Sequence, residues 1–267
     1  MLNLSLGQQF RSKRNWRTPR CIGALILREM ATTYGRSPGG YVWALVEPIG
    51  AIAALSLVFS YAFRDPALGT SFALFYATGY LPFMMFSDLS AKIAQAIKFS
   101  LPLLAYPSVT YLDSIFARAI LCTLTHLIVF NIVIVGIIVT YSLNPMINFP
   151  LICLGLLMAA SLGFSLGVLN CFLNSMFPAW QTVWSILMRP MFILSGVFFI
   201  LESIPRQMAD ILWYNPVIHV TGVMRKAFYP TYDANYVSNI YVFGICALVL
   251  SLGLLLLHRH HRHFINR

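Results

Sequence analysis

The sequence predicts an all-α integral membrane protein. It should have six transmembrane helices, an N-terminal amphipathic helix in the membrane interface, and a re-entrant helix pair between helices five and six. Three observations carry this reading. Hydrophobic residues fill 59% of the 267 positions and charged ones only 10%, against roughly 25% charged in a soluble domain. Six apolar runs approach the ~20 residues that a bilayer crossing needs. The cations behind the formal net charge of +10 gather beside alternate ends of those runs, as the positive-inside rule requires of cytoplasmic loops.

Residues 1–40 read as a cytoplasmic N-terminus holding the interfacial helix. Within it Ile22, Ile26, Met30 and Tyr34 recur at i+4, while Arg28 and Thr32 fall opposite, the pattern of a helix lying flat on a membrane. A plain anchor would show the same pattern. Residues 41–257 should form the six-span domain. Span one is expected over Tyr41–Phe63. Span two covers Ser71–Ser90, interrupted by Pro82 and Asp88. Span three covers Ser114–Tyr141, span four Phe149–Phe172, span five Ala179–Leu201 and span six Asn239–Leu257. Residues 258–267 form a basic cytoplasmic tail.

Arg11, Lys13, Arg14, Arg17, Arg20, Arg28 and Arg36 precede span one. Lys92 and Lys98 follow span two, and Arg259, Arg262 and Arg267 follow span six. Both termini are therefore expected in the cytoplasm of a bacterial cell. The stretch Glu202–Tyr236 is too long for a turn. It holds two short apolar pieces, "MADILWY" and "VIHVTGVMRKAFY", split by Asn215-Pro216. Such a segment can dip into the membrane and return if protein covers its free backbone groups, or it can be a surface loop.

The motifs of chemistry are missing. The sequence has no GxxxxGK[ST], no HExxH and no GxSxG. His126 stands alone in span three and reads as a packed helix residue rather than a base. The run "HRHHRH" from His258 reads as a basic interfacial end rather than a metal site. The five cysteines show no CxxC spacing, and four lie in apolar runs as small hydrophobes. No metal ligand, no cofactor and no nucleic-acid partner is expected. Many spans without a catalytic constellation suit a pore or carrier, whose energy must come from another chain.

Arg189 lies inside the fifth run with Pro190 behind it. About ten residues into a helix rising 1.5 Å each, it reaches roughly mid-bilayer. A charge there needs a protein, water or substrate partner. Glu47 in span one, also followed by a proline, is the candidate partner. Snorkelling to the interface is the alternative.

Three stretches together resemble the ABC-2 type exporter permeases. "LILREMATTYGRSPGGYVWALVEPI" matches the family's approach to span one, with Arg28-Glu29, Arg36-Ser37, Gly40, Trp43 and Pro48. "YPSVTYLDSIFARA" is similar to the approach to span three. "MRPMFILSGVFFILESIPRQMADILWYNPVIHVTGVMRKAFY" matches span five and the segment after it, through Pro190, Ser195–Phe199, Pro205, Asn215-Pro216, His219 and Arg225. The "ALVEP" version and short tail look most like capsular polysaccharide export permeases.

The resemblance implies a transport subunit and not an enzyme. Two copies would line a canal for a lipid-linked polysaccharide, and two ATP-binding subunits carrying ATP and Mg would dock beneath. In a Gram-negative host a periplasmic adaptor and outer-membrane channel would follow. Arg28, Glu29, Lys98, Phe99, Leu104 and Tyr106 would couple the ATPase to the membrane. Glu47, Tyr61, Tyr80, Trp180, Trp184 and Arg189 would face the canal, although the aromatics equally suit the ordinary interfacial belt. Pro205, Trp213, Asn215, Pro216 and Arg225 would build the re-entrant segment. O-antigen, teichoic acid and drug exporters of the same family are the near alternatives. A membrane enzyme acting on lipid-linked sugars is disfavoured by the absence of clustered acids in any loop. A passive channel is disfavoured by the interfacial helix and the Ala91–Ser108 segment.

Overall fold

A computed structural model of the chain describes residues 17–33, 40–104 and 109–265. All regular structure among them is helical. In chain order the helices are α1 (Arg17–Thr33), α2 (Gly40–Ala62), α3 (Phe72–Ala94), α4 (Ala96–Leu104), α5 (Tyr111–Thr140), α6 (Phe149–Met176), α7 (Trp180–Ile193), α8 (Arg206–Trp213), α9 (Pro216–Phe228) and α10 (Asn239–Ile265), with a 3₁₀ turn at Leu201–Ser203.

Among the described residues, four helices are long and apolar enough to cross a membrane: α2, α5, α6 and α10. Helix α3 has 23 residues but carries Asp88 and Lys92 near its end. Pro82 and Asp88 interrupt its apolar run without breaking the helix. The helix runs unbroken to Ala94, and Pro82 is buried within it. The fifth run departs further from expectation. Helix α7 stops at Ile193 after 14 residues, about 21 Å, instead of continuing to Leu201.

The stop has a local and a distant cause. Gly196 takes φ +76, a left-handed conformation that glycine adopts without steric cost. The carbonyls freed on either side of it are met by side chains from far along the chain. Asn215 Nδ2 donates to Leu194 O at 2.9 Å and Thr221 Oγ1 to Ser195 O at 3.0 Å. Arg225 donates to Val197 O at 2.9 Å and to Phe199 O as well. Irregular backbone inside apolar surroundings is stable only when paired in this way.

Helices α3 and α6 form the centre. Gly163 and Gly167, one helical turn apart, let them touch. A Cβ at Gly163 would lie 2.8 Å from Phe86 O, and one at Gly167 2.8 Å from Ile93 Cβ. Small residues at this spacing allow close backbone approach where lipid removes the hydrophobic drive to associate. Helices α5, α9 and α10 close around this pair. One apolar cluster spans Phe75, Phe86, Phe130, Leu162, Met224 and Phe228. A second, at the end holding α4, joins Ile93, Ile97, Ile115, Val168, Cys171 and Leu257. Helix α5 begins with a capping box in which Thr110 and Asp113 exchange hydrogen bonds. Helix α10 continues to Ile265, and His260 packs on Phe172.

Candidate functional site

Four helices meet at one arginine. Arg118, two turns into α5, points Nε at Glu29 of α1, 2.9 Å from Oε1 and 3.0 Å from Oε2. Its Nη1 donates to Lys92 O in α3 at 2.8 Å. Its guanidinium sits 4.3 Å above the ring of Phe99 in α4, and Arg28 of α1 reaches the same ring at 5.5 Å. Only 7% of Arg118 and 15% of the Glu29 side chain are exposed. The pair is therefore poorly screened, and removing one partner strands a buried charge. Helix α4 thus hangs on a cationic joint, yet Phe99 and Leu101 remain 40% and 46% exposed.

Of the residues expected to couple an ATPase, the structure gathers Arg28, Glu29 and Phe99. Lys98 is exposed beside a small recess with Asn174 and Gln181. Leu104 closes α4, and Tyr106 lies outside the described residues. Arg118 was not singled out from sequence. The available signal was an arginine in the second turn of an otherwise apolar helix.

The expected canal residues are scattered. Tyr61 is 87% exposed. Trp180 donates its indole N–H to Asn170 Oδ1 at 2.9 Å and so pins the start of α7 to α6. Trp184 Nε1 is buried without a partner. Tyr80 packs edge-on against Phe192 of α7. Around it lies an aromatic cluster that sequence reading missed. Phe192 meets Phe83 and Phe198 at 5.1 Å, and Phe59 meets Tyr76 at 5.2 Å. The spacing of Phe72, Tyr76 and Tyr80, four apart on one face of α3, was the legible clue.

Arg189 and Glu47 are both exposed, and no ion pair joins them within the protomer. Glu47 lines a recess of about 400 Å³ with Trp43, Asp88, Lys92, Thr125 and His126. His126 Nε2 lies 3.2 Å from Asp88 Oδ2, within ion-pair distance, and only 8% of the histidine side chain is exposed.

The segment after α7 is built on its named residues. Pro216 starts α9 and Asn215 caps it, accepting from Val217 N at 3.0 Å. Trp213 Nε1 donates to Tyr236 O. His219 accepts from Ser238 N at Nδ1, which leaves its Nε2–H to donate to Trp213 O at 2.9 Å. Arg225 is 2% exposed and lies 4.2 Å over the Phe75 ring. Burial raises the pKa of the Tyr232 phenol, so it stays protonated and donates to Glu202 at 2.8 Å.

Residues 20–229 match the ABC-2 type transporter family. The chain belongs to that family. Among similar proteins is the polysialic acid transport protein KpsM of Escherichia coli, 32% identical over 88% of this chain and 91% of its own length. The capsule polysaccharide export inner-membrane protein CtrC of Neisseria meningitidis serogroup A is 31% identical over 87% of this chain and 88% of its own. BexB of Haemophilus influenzae, with the same descriptive name as CtrC, is 28% identical over 89% of each. An ABC-2 chain of this kind is a multi-pass membrane permease. Its joint at Arg118 and its carbonyl-capped loop are parts of a transport subunit.

Proposed function

We propose that this permease, as a homodimer, exports a capsular or related lipid-linked polysaccharide across the inner membrane. Two ATP-binding subunits, which hold ATP and Mg, dock on α4 and drive it. Both termini then lie in the cytoplasm, with α1 flat on the inner surface. Helices α3 and α7 complete six spans, and α8–α9 form the re-entrant pair at the outer face. A periplasmic adaptor and outer-membrane channel take the polymer onward. The relatives' transport of capsule polymers supports the substrate class.

The observation that carries the mechanism is the Arg118 joint. A push on α4 reaches α1 through Phe99 and Arg28, and reaches α3 and α5 through Arg118. The exposed Phe99 and Leu101 offer apolar knobs of the kind that dominate protein contacts. The test is complementation of a permease-null capsulated strain, with surface polymer measured beside ATP hydrolysis of the purified complex. Glu29→Gln should keep the complex assembled and hydrolysing but cut surface polymer by about ten-fold or more, since losing one side of a buried pair costs roughly 3–5 kcal/mol. Normal polymer levels in that variant would remove the joint from the coupling path. A wild-type chain that restores no capsule would sink the substrate reading.

A further inference from the structure

The end of the molecule away from α4 is tied together around one histidine. Helix α10 shows which end this is. Its Leu257 packs in the cluster that holds Ile97 of α4, so its first residues lie at the far end. There the elbow between α8 and α9 is bound to the start of α10. Trp213, the last residue of α8, donates its indole N–H to Tyr236 O at 2.9 Å, and Tyr241 OH donates to Tyr214 O at 2.7 Å. The Trp213 and Tyr241 rings lie 4.9 Å apart. His219 of α9, fully buried, completes the tie. Its Nε2–H holds Trp213 O and its Nδ1 holds Ser238 N. Ser238 in turn caps α10, its Oγ accepting from Tyr241 N at 3.3 Å.

We propose that His219 is an acid-released latch between the α8–α9 elbow and α10, closed while its ring is neutral and opened when the ring takes up a proton. The reason is stereochemical. Nδ1 accepts from the Ser238 N–H only while it carries no proton of its own. An imidazolium donates at both nitrogens, so protonation sets one N–H against another across 3.2 Å. The bond that joins α9 to the α10 cap is then lost.

No neighbouring charge replaces it. The ring meets Trp213 from α8, Tyr236 from the connection 229–238 and Tyr241 from α10, at 5.3, 5.9 and 5.4 Å. Phenols do not titrate in mild acid. On α9 itself Arg225 is turned to Val197 O and Phe199 O. Helix α6 carries no charged residue, and those of α3, Asp88 and Lys92, lie at its α4 end. Arg206 and Asp210 of α8 are exposed. Glu202 is reached only through Tyr232 and Tyr236.

Helix α9 is not among the spanning helices. Burial outweighs the bond to Trp213 O and lowers the pKa of His219 from its ordinary value. The neutral form is the bound one. The latch is therefore closed above about pH 6.5, where a free histidine is neutral, and loosens as pH falls from there towards the lowered value of the buried ring. Between those two values each pH unit multiplies the opening equilibrium by about ten-fold. One point rests on the exporter reading: it places this end on the outer side, whose pH follows the medium. Outside acidity then sets how firmly α8 is held.

The test is hydrogen exchange of the whole permease in nanodiscs, read by mass spectrometry and corrected for the intrinsic pH dependence of amide exchange. Between pH 7.5 and 5.5 the peptide covering Ser238–Val242 should exchange several-fold faster, about ten-fold at most. Peptides of α3 and α6 should not change. His219→Asn puts a non-titrating acceptor near the Nδ1 position and should show the same corrected rate at both pH values. His219→Gln, whose amide reaches the Nε2 position, should lose the response as well. A flat wild-type profile, or a rise spread evenly over all helices, overturns the proposal, and either result is read without a variant. A folded variant that keeps the full wild-type response overturns it too, because the proton then binds elsewhere. A nanodisc bathes both faces in one buffer, so the outcome does not depend on sidedness. Failure to restore capsule would strike the exporter reading and leave the latch measurable.

Discussion

Arg118 and Arg225 put the same guanidinium to unlike uses. Arg118 is paired with a carboxylate and ties four helices at the α4 end. Arg225 forms no ion pair among the described residues. Its charge is desolvated and spread over two backbone carbonyls and the Phe75 ring, with Nε left unpartnered. Only a planar fork reaches two carbonyls two residues apart while stacking on an aromatic face. Arg225→Met should therefore strand Val197 O and Phe199 O. At about 1–3 kcal/mol per unpaired buried group, the loss should be on the order of 3 kcal/mol, read as a lower melting temperature of the detergent-purified protein. Arg225→Lys should fall between. A Met variant that melts like wild type would show the loop to be held by packing alone. Sequence placed Arg225 in the segment after span five but could not show this role. Its partners lie 26 and 28 residues earlier, and no local pattern encodes that pairing.

At the scale of elements, the long apolar helices were legible because hydropathy over twenty residues needs no tertiary context. Helices α2, α5 and α6 begin and end within a few residues of the expected spans. The shortened α7 was not legible. Its sequence stays apolar through Ile200, and its end depends on Gly196 together with side chains of α9. Helix α8 raises a different question, for Met208 and Ile211 are 61% and 73% exposed while Val217 of α9 is buried. In water those two would be an exposed apolar pair; in a membrane interface they face lipid. Single cysteines in a cysteine-free background distinguish the cases. Cysteines at Met208 and Ile211 should resist a membrane-impermeant thiol reagent, while cysteines at the exposed Ser203 and Asp233 should react. Equal labelling of all four sites would leave α8 as part of a periplasmic loop and remove the re-entrant pair.

At the scale of the whole molecule, one protomer leaves two helices uncovered. No residue of α7 is buried, and only 11% of the apolar window of α2 is buried. Arg189 stands on α7 among exposed Ile186, Leu187 and Ile193. An arginine at membrane depth facing lipid costs on the order of 3 kcal/mol, so a second copy is the economical cover. Two-fold symmetry makes any such contact occur twice, with residue i on j and j on i. Under the homodimer proposed above, Glu47 on the uncovered α2 would be the carboxylate for Arg189 of the other copy. The pair would open when substrate arrives. Co-expression of two differently tagged cysteine-free chains, one with Glu47→Cys and the other with Arg189→Cys, should give a disulfide-linked heterodimer on mild oxidation, and substrate glycolipid should slow its formation. Exchanging the charges, Glu47→Arg with Arg189→Glu, should restore more export than either single change, because a buried pair broken from one side is worse than a pair reversed. If no heterodimer forms while each cysteine remains reactive, the two side chains are further apart than the short Cα–Cα distance a disulfide spans, and Arg189 must find its counter-charge elsewhere along the canal.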